Sequence, residues 1–206
     1  MSSFQLAAAA LDHAAVFVFA ASGALAAARR KHDIVTFAFF AALTGIGGGT
    51  LRDLLIHAPV FWIQRPAYLV TCGAAALTIW IFGGGPRREQ LLIWLDALGL
   101  SAYAVIGAGK ALSLDVAALP AVVMGVMTAT VGGILRDVVA QHPSVLLRRE
   151  VYVTAALAGA TAFVVLARLE LNAMTASLAG FAVAFGVRAG AIRFGWTLPA
   201  FGSRAR

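Results

Sequence analysis

Gly48-Gly49-Thr50-Leu51-Arg52-Asp53 returns 84 residues later as Gly132-Gly133-Ile134-Leu135-Arg136-Asp137, counting from Gly48 to Gly132. The match runs without a gap from about residues 11–82 onto 95–166. Leu11-Asp12 falls on Leu95-Asp96, Gly23-Ala24 on Gly107-Ala108, Thr44 on Thr128, Pro59 on Pro143, Arg65 on Arg149 and Tyr68 on Tyr152. The chain is therefore built from two related halves.

What each half contains follows from hydropathy. Of the 206 residues 61% are hydrophobic and 12% charged, against roughly 25% charged in a soluble domain, and the mean hydropathy is +0.89. Runs nearly free of Lys and Arg predict membrane helices over residues 7–28, 33–56, 66–84, 91–111, 116–140, 150–168 and 172–192, each close to the roughly 20 residues a bilayer requires. The reading is all-α: one transmembrane domain over 1–206, with a first three-helix repeat at 8–84 and a second at 91–168. A seventh helix at 172–195 and a basic tail at 196–206 complete it. Three crossings is an odd number, so the second repeat enters the membrane inverted relative to the first. Inverted repeats set a solute path at their interface near the midplane.

The net charge of +7 does not point to nucleic acid, because the basic residues come in short groups between apolar blocks. Arg29, Arg30, Lys31, Arg87, Arg88, Arg148 and Arg149 fall in alternate loops and Arg193, Arg204 and Arg206 at the C-terminal end. Positive loops stay cytoplasmic, so the N-terminus is expected outside and the C-terminus inside. No Lys or Arg precedes Arg29, so the first apolar run reads as a retained helix and not as a secretory signal. Trp62, Trp80, Trp94 and Trp196 lie near predicted helix ends, as interfacial residues do.

The candidate site residues sit in the duplicated element. Gly45-Ile46-Gly47-Gly48-Gly49 lies midway along the second helix, and Gly132-Gly133 follows Thr128-Ala129-Thr130 in the fifth. Glycine weakens a helix by about 1 kcal/mol relative to Ala, so a kink or unwound turn is expected. Its freed carbonyls, with the hydroxyls of Thr44, Thr128 and Thr130, would replace part of a cation's hydration shell. The competing reading is close packing, since Gly45 and Gly49 form a small-xxx-small pair.

Arg52-Asp53 and Arg136-Asp137 lie one turn further on. Because neighbours on a helix diverge by about 100°, each Arg is expected to reach another helix. They serve either as structural salt bridges or in control of ion entry. Asp12 and Asp96 read as acidic groups at opposite mouths or as helix caps. Lys110 reads as a snorkelling anchor or as a gate. His13, His32, His57 and His142 have no metal-ligand spacing, and Cys72 is the only cysteine, so neither a Cys-based metal site nor an intramolecular disulfide is expected. No nucleophile, base and orienting group stand together, so an enzyme is not indicated, and no cofactor is implied.

The duplicated Gly-Gly-x-Leu-Arg-Asp element in a seven-helix chain closely resembles the prokaryotic TRIC family, the trimeric intracellular cation channels, over about residues 8–195. The resemblance implies a homotrimer in a bacterial inner membrane, in contact with membrane lipids. Each subunit would hold its own pore, lined by the first, second, fourth and fifth helices, which passes K+ and, less selectively, Na+. Val131-Gly132-Gly133 lacks the lysine- and glutamate-containing motif of the animal members, so their phosphoinositide regulation is not implied. Related bacterial families are labelled glycine transporters, which leaves a carrier of glycine or another small zwitterion as the alternative function.

Overall fold

The computed structural model describes residues 3–83, 85, 87–142 and 151–198; Pro143, Arg148, Arg149, Arg204 and Arg206 lie outside the described residues. Its helices are α1 (Ser3–Arg29), α2 (Ile34–Leu55), α3 (Phe61–Gln64), α4 (Ala67–Phe82), α5 (Arg88–Leu112), α6 (Ala118–Val139), α7 (Val153–Arg168) and α8 (Ala173–Phe194). All but α3 correspond to the expected crossings. Helices α1, α2, α5, α6 and α8 are long and apolar enough to span a membrane. The repeat mates α4 and α7 have 16 residues each, a length of about 24 Å. Short α3 forms where the sequence predicts only a connection.

Backbone groups in hydrocarbon must be bonded within their own segment, so capping matters chiefly at the ends. Asp33 closes the start of α2 by accepting the Thr36 amide at 2.8 Å, and that bond holds its carboxyl below the usual range. Asn172 does the same for α8 through the Met174 amide at 2.8 Å. Gly195, at φ 66°, ends α8 in the left-handed region that glycine enters freely.

The packing obeys the repeat. Contacts of α1 with α2 and α4, and of α2 with α4, recur as contacts of α5 with α6 and α7, and of α6 with α7. The halves meet through α2 against α6 and α1 against α5, and α8 lies against α5 and α7. At one face Arg29 meets Glu89 at 3.6 Å and Arg30 donates to the Ala140 carbonyl at 3.0 Å. These contacts gather the ends of α1 and α6 with the start of α5, at what is called here the Arg30 face. Lys110 and Asp53 mark the opposite, Lys110 face.

At the centre α2 and α6 cross with backbones touching. A Cβ added to Gly48 would land on the Thr128 carbonyl, and one added to Gly132 on the Thr44 carbonyl. Thr44 and Thr128 are themselves repeat mates, as are Gly48 and Gly132, so the contact maps onto itself. Because Thr44 faces Gly132 while Gly48 faces Thr128, the two helices run in opposite senses.

The expected unwound turn is absent: α2 and α6 are α-helical throughout. Close approach to another backbone, not a break in its own, is what Gly48 and Gly132 provide. Gly45 packs on Ala20 and Cys72, and Gly49 on Phe61, so that small-residue pair serves two different neighbours. The hydroxyls of Thr44, Thr128 and Thr130 donate to the Phe40, Met124 and Val126 carbonyls at 2.8, 2.6 and 2.8 Å, one turn back in their own helices.

Gly48→Ala and Gly132→Ala should each force α2 and α6 apart and destabilise by about 1–3 kcal/mol, the usual cost of overpacking. Gly47→Ala meets only the Leu135 methyl at 3.3 Å and should be tolerated. Thermal unfolding of the detergent-solubilised protein ranks the three; a Gly47 variant as unstable as the others would contradict the crossing.

Candidate functional site

Charged side chains are sorted to either end of the central crossing. Toward the Lys110 face, Asp53 is fully buried and accepts three hydrogen bonds. Its Oδ1 accepts from Arg52 Nε at 2.8 Å and Lys110 Nζ at 2.7 Å, and Arg52 Nη2 also lies 2.7 Å away. Its Oδ2 accepts the Phe61 amide at 3.0 Å. The carboxylate thereby fixes α3, whose Phe61 ring has Arg52 and Lys110 at 5.9 and 6.0 Å from its centroid. Gly49 makes room for that ring, because a Cβ there would lie 2.7 Å from it. Trp62 secures the other side of α3 by donating to Thr50 Oγ1 at 2.9 Å.

Two sequence expectations are corrected here. Arg52 turns to its own neighbour instead of another helix, since its long side chain curls back far enough to overcome the angular divergence. Lys110 does not reach for the interface; it bonds Asp53 across the α2–α5 gap with 29% of its side chain exposed.

Asp12 lies well inside α1 and Asp96 well inside α5, so neither caps a helix. Tyr68 Oη donates to Asp12 Oδ2. His13 stacks on Tyr68 with centroids 4.3 Å apart and bonds Thr71 Oγ1 at 2.8 Å.

The matched groups toward the Arg30 face have collapsed together. Arg136, 1% exposed, bonds Asp96 Oδ1 at 2.7 Å, Asp137 Oδ1 at 2.9 Å and Ser22 Oγ at 3.1 Å. Here the Arg does reach other helices as well as its neighbour. Gly133 backs this cluster, 3.3 Å from Asp96 Oδ1 and 2.6 Å from Tyr152 Oη if it carried a Cβ. Tyr152, the mate of Tyr68, has a buried hydroxyl without a hydrogen-bond partner among the described residues, and the Arg188 guanidinium lies 5.1 Å from its ring centroid.

A cavity of about 360 Å³ opens between α1, α2, α3, α4 and α5, with Asp12, Arg52, Arg65, Lys110, Phe61 and Tyr103 in its wall. Tyr103 is 3% exposed; it donates to the Gly45 carbonyl at 2.8 Å and packs on Phe19 with centroids 5.4 Å apart. Phe19 and Tyr103 are repeat mates. Of the candidate residues, Asp12, Gly49, Arg52 and Lys110 line the cavity, and Asp53 lies behind it. Thr44, Gly48, Thr128 and Gly132 form the central crossing, while Gly133, Asp96, Arg136 and Asp137 make the second cluster. Gly47 touches Leu135, and Thr130 is buried within α6. Phe61, Tyr103 and Phe19 were not singled out by sequence, although the aromatic pair stands at the repeat offset.

A seven-crossing bundle with two buried charge clusters and a cavity walled in part by Asp12, Arg52 and Lys110 defines a multi-pass membrane protein of the channel or carrier class. The glycine transporter family matches residues 9–83 and 93–168, and the chain belongs to it. A UPF0126 membrane protein of Vibrio cholerae serotype O1 is 39% identical over 201 residues, 93% of this chain and 81% of the relative. The UPF0126 inner membrane protein YadS of Escherichia coli K12 is 37% identical over 198 residues, 93% of this chain and 94% of the relative. Among solved structures, the TRIC trimeric intracellular cation channel orthologue from Rhodobacter sphaeroides superposes with a TM-score of 0.87 at 45% identity, covering 90% of this chain and 97% of that one. The TRIC resemblance read from the duplicated element thus holds for both sequence and fold.

Removing Asp53 strands buried Arg52, whose side chain is 4% exposed. Asp53→Ala should therefore cost about 3–5 kcal/mol, whereas Lys110→Met, at a partly exposed pair, should cost about 0–1 kcal/mol. Chemical unfolding in mixed micelles gives both values. Equal losses would contradict the ranking of Arg52 over Lys110 as the partner that depends on Asp53.

Proposed function

We propose that the protein is a channel for monovalent cations, K+ and less selectively Na+. It would act as a homotrimer in a bacterial inner membrane, with the N-terminus and the Lys110 face outside and the C-terminus inside. Each subunit carries its own path along the interface of α1, α2, α5 and α6. The observation that carries this reading is the polar succession on that interface. The cavity stops at Tyr103, whose hydroxyl occupies the Gly45 carbonyl, and beyond the Phe19–Tyr103 contact lies the Arg136 cluster. Carbonyls that exchange a hydroxyl partner for an ion are what cation paths use. The arrangement as it stands is a closed one, and displacement of Tyr103 is the opening step.

The 45% identity to an orthologue described as a cation channel supports the same conclusion. The basic residues grouped at the Arg30 face favour that face as cytoplasmic.

Protein reconstituted in planar bilayers should give unitary currents that reverse near the K+ potential under bi-ionic K+/Na+ conditions. Tyr103→Ala should raise open probability several-fold, because one hydrogen bond and one ring contact are lost, together about 1–3 kcal/mol. Saturable glycine uptake stimulated by counterflow, with no unitary current in either orientation, would replace the channel with a carrier.

A further inference from the structure

The turn from α1 to α2 and the turn from α5 to α6 are built alike. The Lys31 amide donates to the Ala28 carbonyl at 3.2 Å and the His32 amide to the Ala27 carbonyl at 3.4 Å. At the repeat offset, Asp115 donates to Leu112 and Val116 to Ala111, both at 3.1 Å. Lys31 and Asp115 share the left-handed region, at φ 54° and 57°. Beside each turn lies a recess. One, of about 270 Å³, takes in Ala28, Lys31, Ile79 and Gly83 at the Arg30 face. The other, of about 510 Å³, takes in their repeat mates Leu112, Asp115, Phe163 and Ala167 at the Lys110 face.

The two recesses share a backbone and differ in charge. Lys31, His32 and Arg88 border the first, and the residues at the same offset in the second half are Asp115, Val116 and Asn172. The turn does not need these basic groups, because it forms without them in the other half. The neighbouring acids are already engaged: Asp33 caps α2 through the Thr36 amide, and Glu89 meets Arg29. Among the described residues no ion pair includes Lys31, His32 or Arg88. The opposite wall is apolar. Phe37 and Ile79 form it with Trp80, whose ring lies edge-on to Phe37 with centroids 5.0 Å apart, and Trp80 continues into an exposed strip of α4 at Leu77, Ile81 and Phe82. With 16 residues, α4 is about 24 Å long, short of the roughly 30 Å of hydrocarbon in a bilayer. A short crossing thins the bilayer beside it, which brings headgroups down to the recess where α4 stops.

We propose that the recess at the Arg30 face is a binding site for one anionic phospholipid, its phosphate among Lys31, His32 and Arg88 and an acyl chain along Trp80 and the exposed strip of α4. Basic groups at the ends of membrane helices attract anionic headgroups, and here they adjoin an apolar wall that suits the attached chain. A zwitterionic lipid brings an ammonium as well, and Asp33 and Glu89 are both committed elsewhere, so the recess distinguishes anionic from zwitterionic headgroups. Free phosphate would satisfy the cations and leave the apolar strip unused. The mate at the Lys110 face, with Asp115 in place of Lys31, has no equivalent cation cluster, so the lipid is held on one side of the membrane. The site shares no residue with the cavity that ends at Tyr103.

The test is quenching of tryptophan fluorescence in the full chain, reconstituted in phosphatidylcholine vesicles with increasing fractions of brominated phosphatidylglycerol. The Trp80→Phe variant identifies the Trp80 share of the signal. That share should be quenched at phosphatidylglycerol fractions about fivefold or more below those set by random mixing, the usual worth of one Lys or Arg near an anionic headgroup. Brominated phosphatidylcholine should quench it only in proportion to its fraction. Lys31→Gln and Arg88→Gln should each weaken the preference by about fivefold, with the thermal unfolding midpoint retained. Quenching of Trp80 that follows bulk composition in the parent protein overturns the proposal, as does an undiminished preference in both folded variants. Relief of the quenching by inorganic phosphate at constant ionic strength would make the recess a free-phosphate site and overturn it too. No current enters these measurements, so they stand or fall apart from the channel reading.

Discussion

Two backbones in contact at the middle of the bundle organise everything around them. Lipid provides no hydrophobic drive between helices, so association depends on close packing and on small residues that allow it. Gly48 on the Thr128 carbonyl and Gly132 on the Thr44 carbonyl bring α2 and α6 to that limit. The same approach leaves no room for a charged side chain at the crossing, and the threonine hydroxyls are turned onto their own helices. Charge is consequently expelled toward the two faces, where each half gathers its Asp, Arg and Tyr. The dry centre and the two polar ends are one consequence of one contact.

The ends nevertheless differ. Toward the Arg30 face a single guanidinium holds Asp96, Asp137 and Ser22, and the cluster is closed. Toward the Lys110 face Arg52 and Lys110 both bond Asp53, Asp12 accepts from Tyr68, and the space between Arg52 and Asp12 remains open. A buried charge without a partner costs several kcal/mol, so each arrangement has to satisfy its own carboxylates. The solution at the Lys110 face does so with two cations on one carboxylate, which leaves positive charge over. Pseudo-symmetry of the backbone is thus compatible with opposite local electrostatics, decided by single positions such as Lys110 against Ala26.

Legibility from sequence follows the same division. Crossings are written in local composition, and the repeat in an offset that needs no three-dimensional knowledge, so both could be read directly. The unwound turn expected at the glycine run does not form, because propensity describes a helix with water as the alternative partner. In a membrane the backbone has no such alternative, and continuity of α2 and α6 wins. Partner choice for Arg52 and Lys110 was unreadable for another reason: it is set by side-chain torsions and by α3, a single helical turn with no periodic signature. Tyr103 is the instructive omission. Its bond to the Gly45 carbonyl joins residues 58 apart, which no local pattern encodes, yet its position opposite Phe19 was available from the repeat.

That aromatic pair makes the two halves unequal. Phe19 and Tyr103 meet at equivalent positions of the two halves, but only the tyrosine carries a hydroxyl, so the Gly45 carbonyl is covered and its repeat mate Ala129 is not met in the same way. Exchanging the tyrosine hydroxyl for water or an ion at one carbonyl costs on the order of 1 kcal/mol. Separating Arg136 from Asp96 in a site nearly free of water costs several times more, on the order of 3–5 kcal/mol. On the path proposed along the α1–α2–α5–α6 interface, the tyrosine is therefore the contact that moves on opening and the arginine cluster the one that stays in place.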